Sequence, residues 1–137
     1  MKRALGIDHG DARIGLAISD ELGMLAHPLK TLEAKGRPVQ EITAIVAEKK
    51  IEIIILGLPR NMNGTEGPAS EKVRAFAEKL KAAIPGCPVK FWDERLTSVA
   101  AQRSLHEAGR DTKKSRSVID QAAAQILLQT YLDSVSM

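Results

Sequence analysis

Two apolar runs separated by a short Gly/Asp-rich stretch open the chain: Leu5-Gly6-Ile7-Asp8-His9-Gly10 and, on the return, Arg13-Ile14-Gly15-Leu16-Ala17-Ile18-Ser19. The pattern predicts a β-hairpin. Strand alternation puts Leu5 and Ile7 on one face and Gly6 and Asp8 on the other. On the return strand Ile14, Leu16 and Ile18 share a face, and Gly15 and Ala17 share the opposite one. Asp8 is the anomaly. Asp is depleted in strands, and a charge near a core needs a partner or a metal. If the small residues of both strands line the Asp8 face, a helix, a metal ion or a substrate phosphate can come close to the backbone there.

Further on, residues 20–23 read as a turn and residues 24–32 as a third strand, which His27-Pro28 confines to a sheet edge. Gly36-Arg37-Pro38 opens a helix: Pro38 suits a first helical position, and Val39, Ile42, Ile45 and Val46 keep helical spacing. Residues 51–56, rich in Ile with no polar face after Glu52, predict a parallel strand buried on both sides. Residues 57–67 form a polar loop. Ser70 is the expected N-cap of a second helix with a buried stripe of Val73, Phe76, Ala77, Leu80 and Ile84, stopped by Pro85-Gly86. Residues 89–94 predict a short strand. Thr97 or Ser98 caps a third helix running to about residue 108 and closed by Gly109. A basic linker over 110–117 leads into a last helix over 118–134. Neither a repeat nor a low-complexity segment interrupts residues 1–137, which are expected to form one domain. A hairpin-rich start followed by strand–helix–strand units predicts an α/β protein, a five-stranded mixed sheet flanked by helices. The same element order occurs in the ribonuclease H-like fold.

Composition narrows the function classes. At 137 residues the chain is long enough for a sizeable core, and with 3% aromatic residues that core must be aliphatic. So few aromatics argue against a nucleic-acid binder built on rows of stacking rings. A net charge of +3 permits a polyanionic partner without requiring one. A single cysteine, Cys87, excludes an internal disulfide and a cysteine-cluster zinc site. No apolar run approaches the roughly 20 residues that span a bilayer, and no signal-peptide core follows Met1-Lys2-Arg3. A cytoplasmic protein with no membrane partner is expected.

Chemistry is then sought among acids. Asp8 lies in the first strand, Asp93 and Glu94 end the last strand, and Asp120 opens the last helix. That helix carries Asp120, Ala123, Ala124 and Leu127 on one stripe, narrow enough to pack on a Gly/Ala face such as the one around Asp8. One acid from each element could then converge, and alternation does not decide between Asp93 and Glu94. Three carboxylates suit Mg²⁺ or Mn²⁺, hard cations that leave positions open for phosphate oxygens and water. Two such ions about 4 Å apart can activate water and stabilise the leaving 3′-oxygen of a phosphodiester. Each acid also has a structural reading. Asp8 can form the turn, one of Asp93 and Glu94 can pair with Arg95, and Asp120 falls three residues after Ser117 at capping-box spacing. His9, beside Asp8, is either a proton-transfer or phosphate group or an exposed turn residue.

Four motifs in order make a family resemblance specific. They are Gly6-Ile7-Asp8-His9-Gly10 with Arg13-Ile14-Gly15, Gly57-Leu58-Pro59 with Asn63-Gly64-Thr65-Glu66-Gly67, Asp93-Glu94-Arg95-Leu96-Thr97-Ser98, and Asp120-Gln121-Ala122-Ala123 with Ile126-Leu127 and Tyr131-Leu132. Together they resemble the YqgF-type family of pre-16S rRNA nucleases and Holliday-junction-resolvase-like proteins, over nearly the whole chain and without departure from the motifs. The resemblance implies a ribonuclease H-like fold related to the resolvase RuvC, and metal-dependent phosphodiester hydrolysis. It places the family's acids on Asp8, Glu94 and Asp120 as catalytic residues and ligands of Mg²⁺ or Mn²⁺.

The loop after the fourth strand should border such a site, since ligands of open α/β sheets bind beyond the carboxyl ends of strands. Arg60 and Asn63 from that loop, Arg95 beside Glu94, and Arg110, Lys113, Lys114 and Arg116 from the basic linker are the expected nucleic-acid contacts. Three functions compete. A nuclease in 5′-end maturation of pre-16S rRNA is favoured, with Holliday-junction resolution of branched DNA as the alternative substrate choice. An ATP-binding kinase-like protein needs a second lobe that 137 residues do not supply. A non-catalytic nucleic-acid module should tolerate loss of Asp8. A two-fold resolvase dimer calls for an interface rich in aromatics or Met, and with one Trp, one Tyr, two Phe and four Met a monomer or weak homodimer is expected.

Overall fold

The computed structural model of the chain describes residues 3–61, 63–96 and 113–135. Five strands form one sheet: β1 (Arg3–His9), β2 (Arg13–Ser19), β3 (Ala26–Glu33), β4 (Ile51–Leu58) and β5 (Val89–Asp93), in the order β3-β2-β1-β4-β5. β1, β2 and β3 pair antiparallel, while β4 runs parallel to both β1 and β5. The mixed sheet expected from element order is present.

β3 is an edge strand. Its pairing with β2 slips between Leu16 and Ala17, which face Lys30 and Pro28, so Leu29 is bulged out beside the proline that cannot donate to the ladder. β4 is the doubly covered strand that its Ile-rich run predicts, with Ile54, Ile55 and Leu56 fully buried on alternating faces.

One face carries α1 (Pro38–Lys49) and α2 (Pro68–Ala83) over a core that includes Leu5, Ile7, Leu16, Ile54, Leu56, Val73 and Leu80. Among the described residues the other face carries α3 (Lys113–Val135) alone, over Ala4, Ala17 and Ile55. The faces differ because the residues do. Large aliphatics point to the two-helix side, and Gly6, Gly15, Ala17 and Gly57 let the single helix come close. A Cβ built on Gly6 would lie 2.8 Å from the Leu128 Cβ. The predicted stripe is the one that docks: Ala123, Ala124 and Leu127 are buried against the sheet.

Several expected boundaries move. α3 begins at Lys113, so residues 113–117 belong to a helix instead of a linker, and Asp120 sits in its third turn, away from the capping-box position. β3 begins at Ala26 and not at residue 24, because Asp20 caps the turn by accepting from the Met24 and Leu25 amides. β5 ends at Asp93, and Glu94–Leu96 form a 3-10 turn. Ser70 is not the N-cap of α2. Gly67 takes that place with Pro68 at the first helical position, and Ser70 is buried with its hydroxyl donating to the Pro59 carbonyl. The helix expected from Thr97 or Ser98 to residue 108 lies outside the described residues, as does Arg110.

Candidate active site

Asp8 ends the buried part of β1 with 3% of its surface exposed. Its cross-strand partner is Gly15 of β2. On the other side, the parallel register pairs Gly6 with Ile55 and Ile7 with Leu56, and one further step sets Asp8 beside Gly57 of β4. Asp8 therefore stands between two glycines on the face covered by α3. Each glycine has an acid above it.

Over Gly57 lies Glu94. A Cβ on Gly57 would be 2.9 Å from the Glu94 Oε1 and 3.2 Å from the Leu127 Cδ2. The missing side chain leaves the space that the carboxylate occupies. Glu94 reaches it because β5 ends at Asp93 and the 3-10 turn swings the next residue over the sheet. Over Gly15 lies Asp120, whose backbone carbonyl occupies the space where a Cβ would project. Its carboxylate turns to Arg13, the first residue of β2, and accepts from the Arg13 Nε at 2.8 Å. With 14% of the Asp120 side chain and 26% of the Arg13 side chain exposed, the pair is partly shielded from water.

The helix is held in register by its glutamines. The Gln125 Nε2 donates to the Ala26 carbonyl at 3.0 Å, the Gln129 Oε1 accepts from the Ala26 amide at 2.8 Å, and the Gln121 Nε2 donates to the Thr31 hydroxyl at 3.1 Å. Spaced four apart, these three run along the edge strand β3, two of them on the backbone of Ala26 and one on the Thr31 side chain. Asp120, one residue before Gln121, is placed by that ladder.

The two neighbouring acids, Asp93 and Glu94, are separated by what they touch. Asp93 accepts from the Arg95 Nη2 at 2.8 Å, Nε at 3.1 Å and backbone amide at 2.9 Å, and the Arg60 guanidinium lies 3.9 Å away. The Arg95 hydrogen bonds hold its carboxyl below the ordinary carboxylate range. Glu94 is instead the acid over Gly57.

The expected substrate loop is bonded largely to itself. The Asn61 amide donates to the Thr65 carbonyl at 2.8 Å, and the Asn63 Oδ1 accepts from the Thr65 amide at 3.1 Å and hydroxyl at 2.6 Å. Gly64, at φ +88°, makes the left-handed turn between them. Glu66 closes the loop onto α2 through a two-pronged pair with Arg74 at 2.6 and 2.7 Å, and Arg60 bridges Glu66 and Asp93 at 3.8 and 3.9 Å. Arg60 and Arg95 thus line the rim next to Glu94, while Asn63 serves the turn. Lys113, Lys114 and Arg116 fall in the first turns of α3, the helix that carries Asp120. His9 points to the opposite face, its ring 4.7 Å from that of Phe76. Burial lowers its pKa, against the opposing pull of Asp11.

Asp8, Glu94 and Asp120 offer only carboxylate oxygens, the donor chemistry of Mg²⁺ and Mn²⁺. Asp8 beside Gly57 and Glu94 over it match that donor chemistry. The Asp120 carboxylate is engaged by Arg13 through Oδ2, and among the described residues no three acids, histidines or cysteines are gathered closely enough to hold a metal ion. Arg13 was not a residue that the apolar pattern singles out for chemistry. Its one signal is a cation at the mouth of an otherwise apolar strand.

The comparisons with known proteins agree in extent. A family model described as "RuvX: Holliday junction resolvase" matches residues 2–134. A protein of Clostridioides difficile (strain 630) named "Putative pre-16S rRNA nuclease" is 50% identical over 133 residues, covering 96% of this chain and 94% of its own length. A protein of the same name from Cutibacterium acnes is 47% identical over 133 residues, covering 97% of this chain and 83% of its own. Among solved structures, Thermus thermophilus RuvC in complex with a Holliday junction substrate superposes with a TM-score of 0.63 at 14% identity, over 99% of this chain and 98% of that one. The fowlpox virus resolvase with Holliday junction DNA gives 0.60 at 11% identity, over 98% and 99%. At those identities the two structures establish the ribonuclease H-like, RuvC-type fold.

Proposed function

The chain belongs to the RuvX family, and from that membership we propose that it is a metal-dependent nuclease that hydrolyses phosphodiester bonds in 5′-end maturation of pre-16S rRNA. The observation that carries the reading is Asp8 in the sheet between Gly15 and Gly57, with Glu94 over Gly57 and the Asp120 turn over Gly15. Relatives at 45–50% identity across nearly the whole chain carry the nuclease name.

Proteins of the RuvC-like group use divalent metal ions. In this chain Asp8 and Glu94 would hold the ion, Mg²⁺ or Mn²⁺, with Asp120 as the third ligand. When bound, such an ion lowers the pKa of water and stabilises the leaving 3′-oxygen. The chain's own residues set the conditions. Burial holds the Asp8 carboxylate between two glycines of the sheet, close to the backbone of both neighbouring strands. Arg13 balances the Asp120 charge and orients its carboxylate through Oδ2. Arg60 and Arg95 at the rim, and Arg110, Lys113, Lys114 and Arg116 at and before the start of α3, draw in and position the phosphate backbone.

The test compares wild type with Asp8→Asn on a precursor rRNA 5′-end in Mg²⁺ or Mn²⁺. Asp8→Asn and chelated wild type should both lose cleavage while the circular-dichroism spectrum and melting temperature persist. Full cleavage by Asp8→Asn in chelator would overturn the mechanism. A second substrate reading, branched DNA, has its own support in the family description and in the junction-bound fold relatives. Symmetric junction cutting needs a two-fold dimer. Here Phe76 is buried on the two-helix side with Phe91 half-buried against the same core, and Trp92 meets Tyr131 of α3 edge to face at 5.7 Å, both half-buried, which leaves little aromatic surface for a partner. That favours a monomer or weak homodimer acting on RNA. Equal amounts of precursor rRNA and a four-way junction in one reaction decide the matter. Paired symmetric nicks outpacing RNA cleavage would reverse the choice.

A further inference from the structure

On the face of the sheet away from α3 lies a cavity of about 800 Å³, within the roughly 300–1,000 Å³ range of small-molecule sites. It opens between the end of β1, the turn leading into α1, and α2. Its wall includes His9, packed on Phe76, and its rim carries Arg37, Gln40 and Lys79. No acidic side chain lines it. Neither Arg37 nor Lys79 has an ion-pair partner among the described residues, whereas Lys72 on the same helix as Lys79 pairs with Asp11 at 2.9 Å. The turn into α1 also leaves first-turn amides free of side-chain capping, because the N-cap residue is Arg37, which makes no such bond.

We propose that this cavity binds a phosphate-bearing nucleotide, its base against the His9–Phe76 wall and its phosphate between Arg37 and Lys79. Two positive charges at the rim, with no acidic side chain in the lining, favour an anion even with Asp11 acting on His9 from outside the cavity. An apolar and aromatic wall beside them selects an anion that carries a flat ring, because inorganic phosphate gains nothing there. His9 follows Asp8 directly but points to the other side of the sheet, so the cavity lies across β1 from the acids, at the same end of the strand. A nucleotide seated there is either one residue of a strand whose cleaved bond lies at the acids, or a free mononucleotide. The proposal goes beyond cleavage, and it is tested without metal or turnover, so its failure leaves the nuclease reading standing.

The experiment is an amide-resolved NMR titration of the full chain, without divalent metal, with adenosine and uridine 5′-monophosphates, inorganic phosphate and a short 5′-phosphorylated oligoribonucleotide. A mononucleotide should shift the His9, Gly36, Val39 and Gln40 amides saturably. Arg37→Ala with Lys79→Ala should weaken that binding about tenfold or more. Both residues are exposed, so the double variant should keep its fold. Displacement of the mononucleotide by the oligonucleotide at the same amides would identify the strand as the occupant, and failure to displace it would identify the free nucleotide. Either supports the site. No saturable shift, equal binding of inorganic phosphate, or undiminished binding by the double variant would overturn it.

Discussion

Replacing Gly15 by alanine tests the close approach on which the candidate site depends. A Cβ at that position would project into the backbone carbonyl of Asp120 and lie 3.1 Å from the Asp120 Cβ. The obstacle is helix backbone, which cannot rotate away as a side-chain tip does. Strand and helix must part by roughly 1 Å to restore ordinary contact. α3 is one 23-residue element clamped to β3 by three glutamines, so the shift is shared by the buried Ala123, Ala124, Leu127 and Leu128. Overpacking typically costs about 1–3 kcal/mol, and a backbone obstacle puts this substitution at the upper end, ~3 kcal/mol. For a domain of this size that lowers the melting temperature by about 10 °C. Gly86→Ala is the control. Nothing lies within 4 Å of its added Cβ, so its melting temperature should stay level or rise slightly. Calorimetry and urea unfolding of the two variants decide the point. A Gly15→Ala melting temperature within about 2 °C of wild type would refute the packing of α3 on β2 and, with it, the placement of Asp120.

Other outcomes follow from particular contacts. In a double-mutant cycle of Arg13→Gln and Asp120→Asn, followed by urea unfolding, the partly buried pair should couple by about 1–2 kcal/mol, and a coupling near zero would deny the pairing. Glu66, whose carboxyl Arg74 holds below its ordinary range, adds stability above the unfolded value of about 4.3 and loses it as pH falls through the lower folded value. Carbon-detected NMR titration should show that depressed midpoint, and Arg74→Ala should return it to the ordinary range. Changing Lys113, Lys114 and Arg116 to Ala should weaken RNA binding across sequences and flatten its salt dependence by up to ~0.7 log units per lost contact; an unchanged slope would mean that these cations do not touch phosphate.

Local pattern determined much of this protein. Alternation in the first nineteen residues marked the hairpin and sorted Gly6 with Asp8 and Gly15 with Ala17, each pair onto one face of its own strand, because side-chain direction in a strand depends only on position parity; the register that pairs Asp8 with Gly15 and Gly6 with Ala17 then put both pairs on the same side. The Ile-rich run of β4, Pro38 at the start of α1, Pro85-Gly86 after α2 and the Asp120–Ala123–Ala124–Leu127 stripe are signals of the same local kind. Family motifs then pointed to Glu94 over Asp93. Only the tertiary structure decided what each polar group meets. Asp120 and Arg13 are 107 residues apart, and their pairing depends on the register that three glutamines impose on α3 against β3. Ser70 has the composition of a cap, yet its hydroxyl goes to Pro59, because a helix start is set by which residue leaves the helical backbone and Gly67-Pro68 does so first. Asn63 has the amide of a ligand-binding residue, yet its oxygen serves Thr65. The cavity beside His9 is assembled from β1, β2, α1, α2 and the turn before α1. Periodicity reports the environment of one element at a time. A hydrogen bond or a cavity wall depends on two elements at once, and chain order alone does not specify their separation.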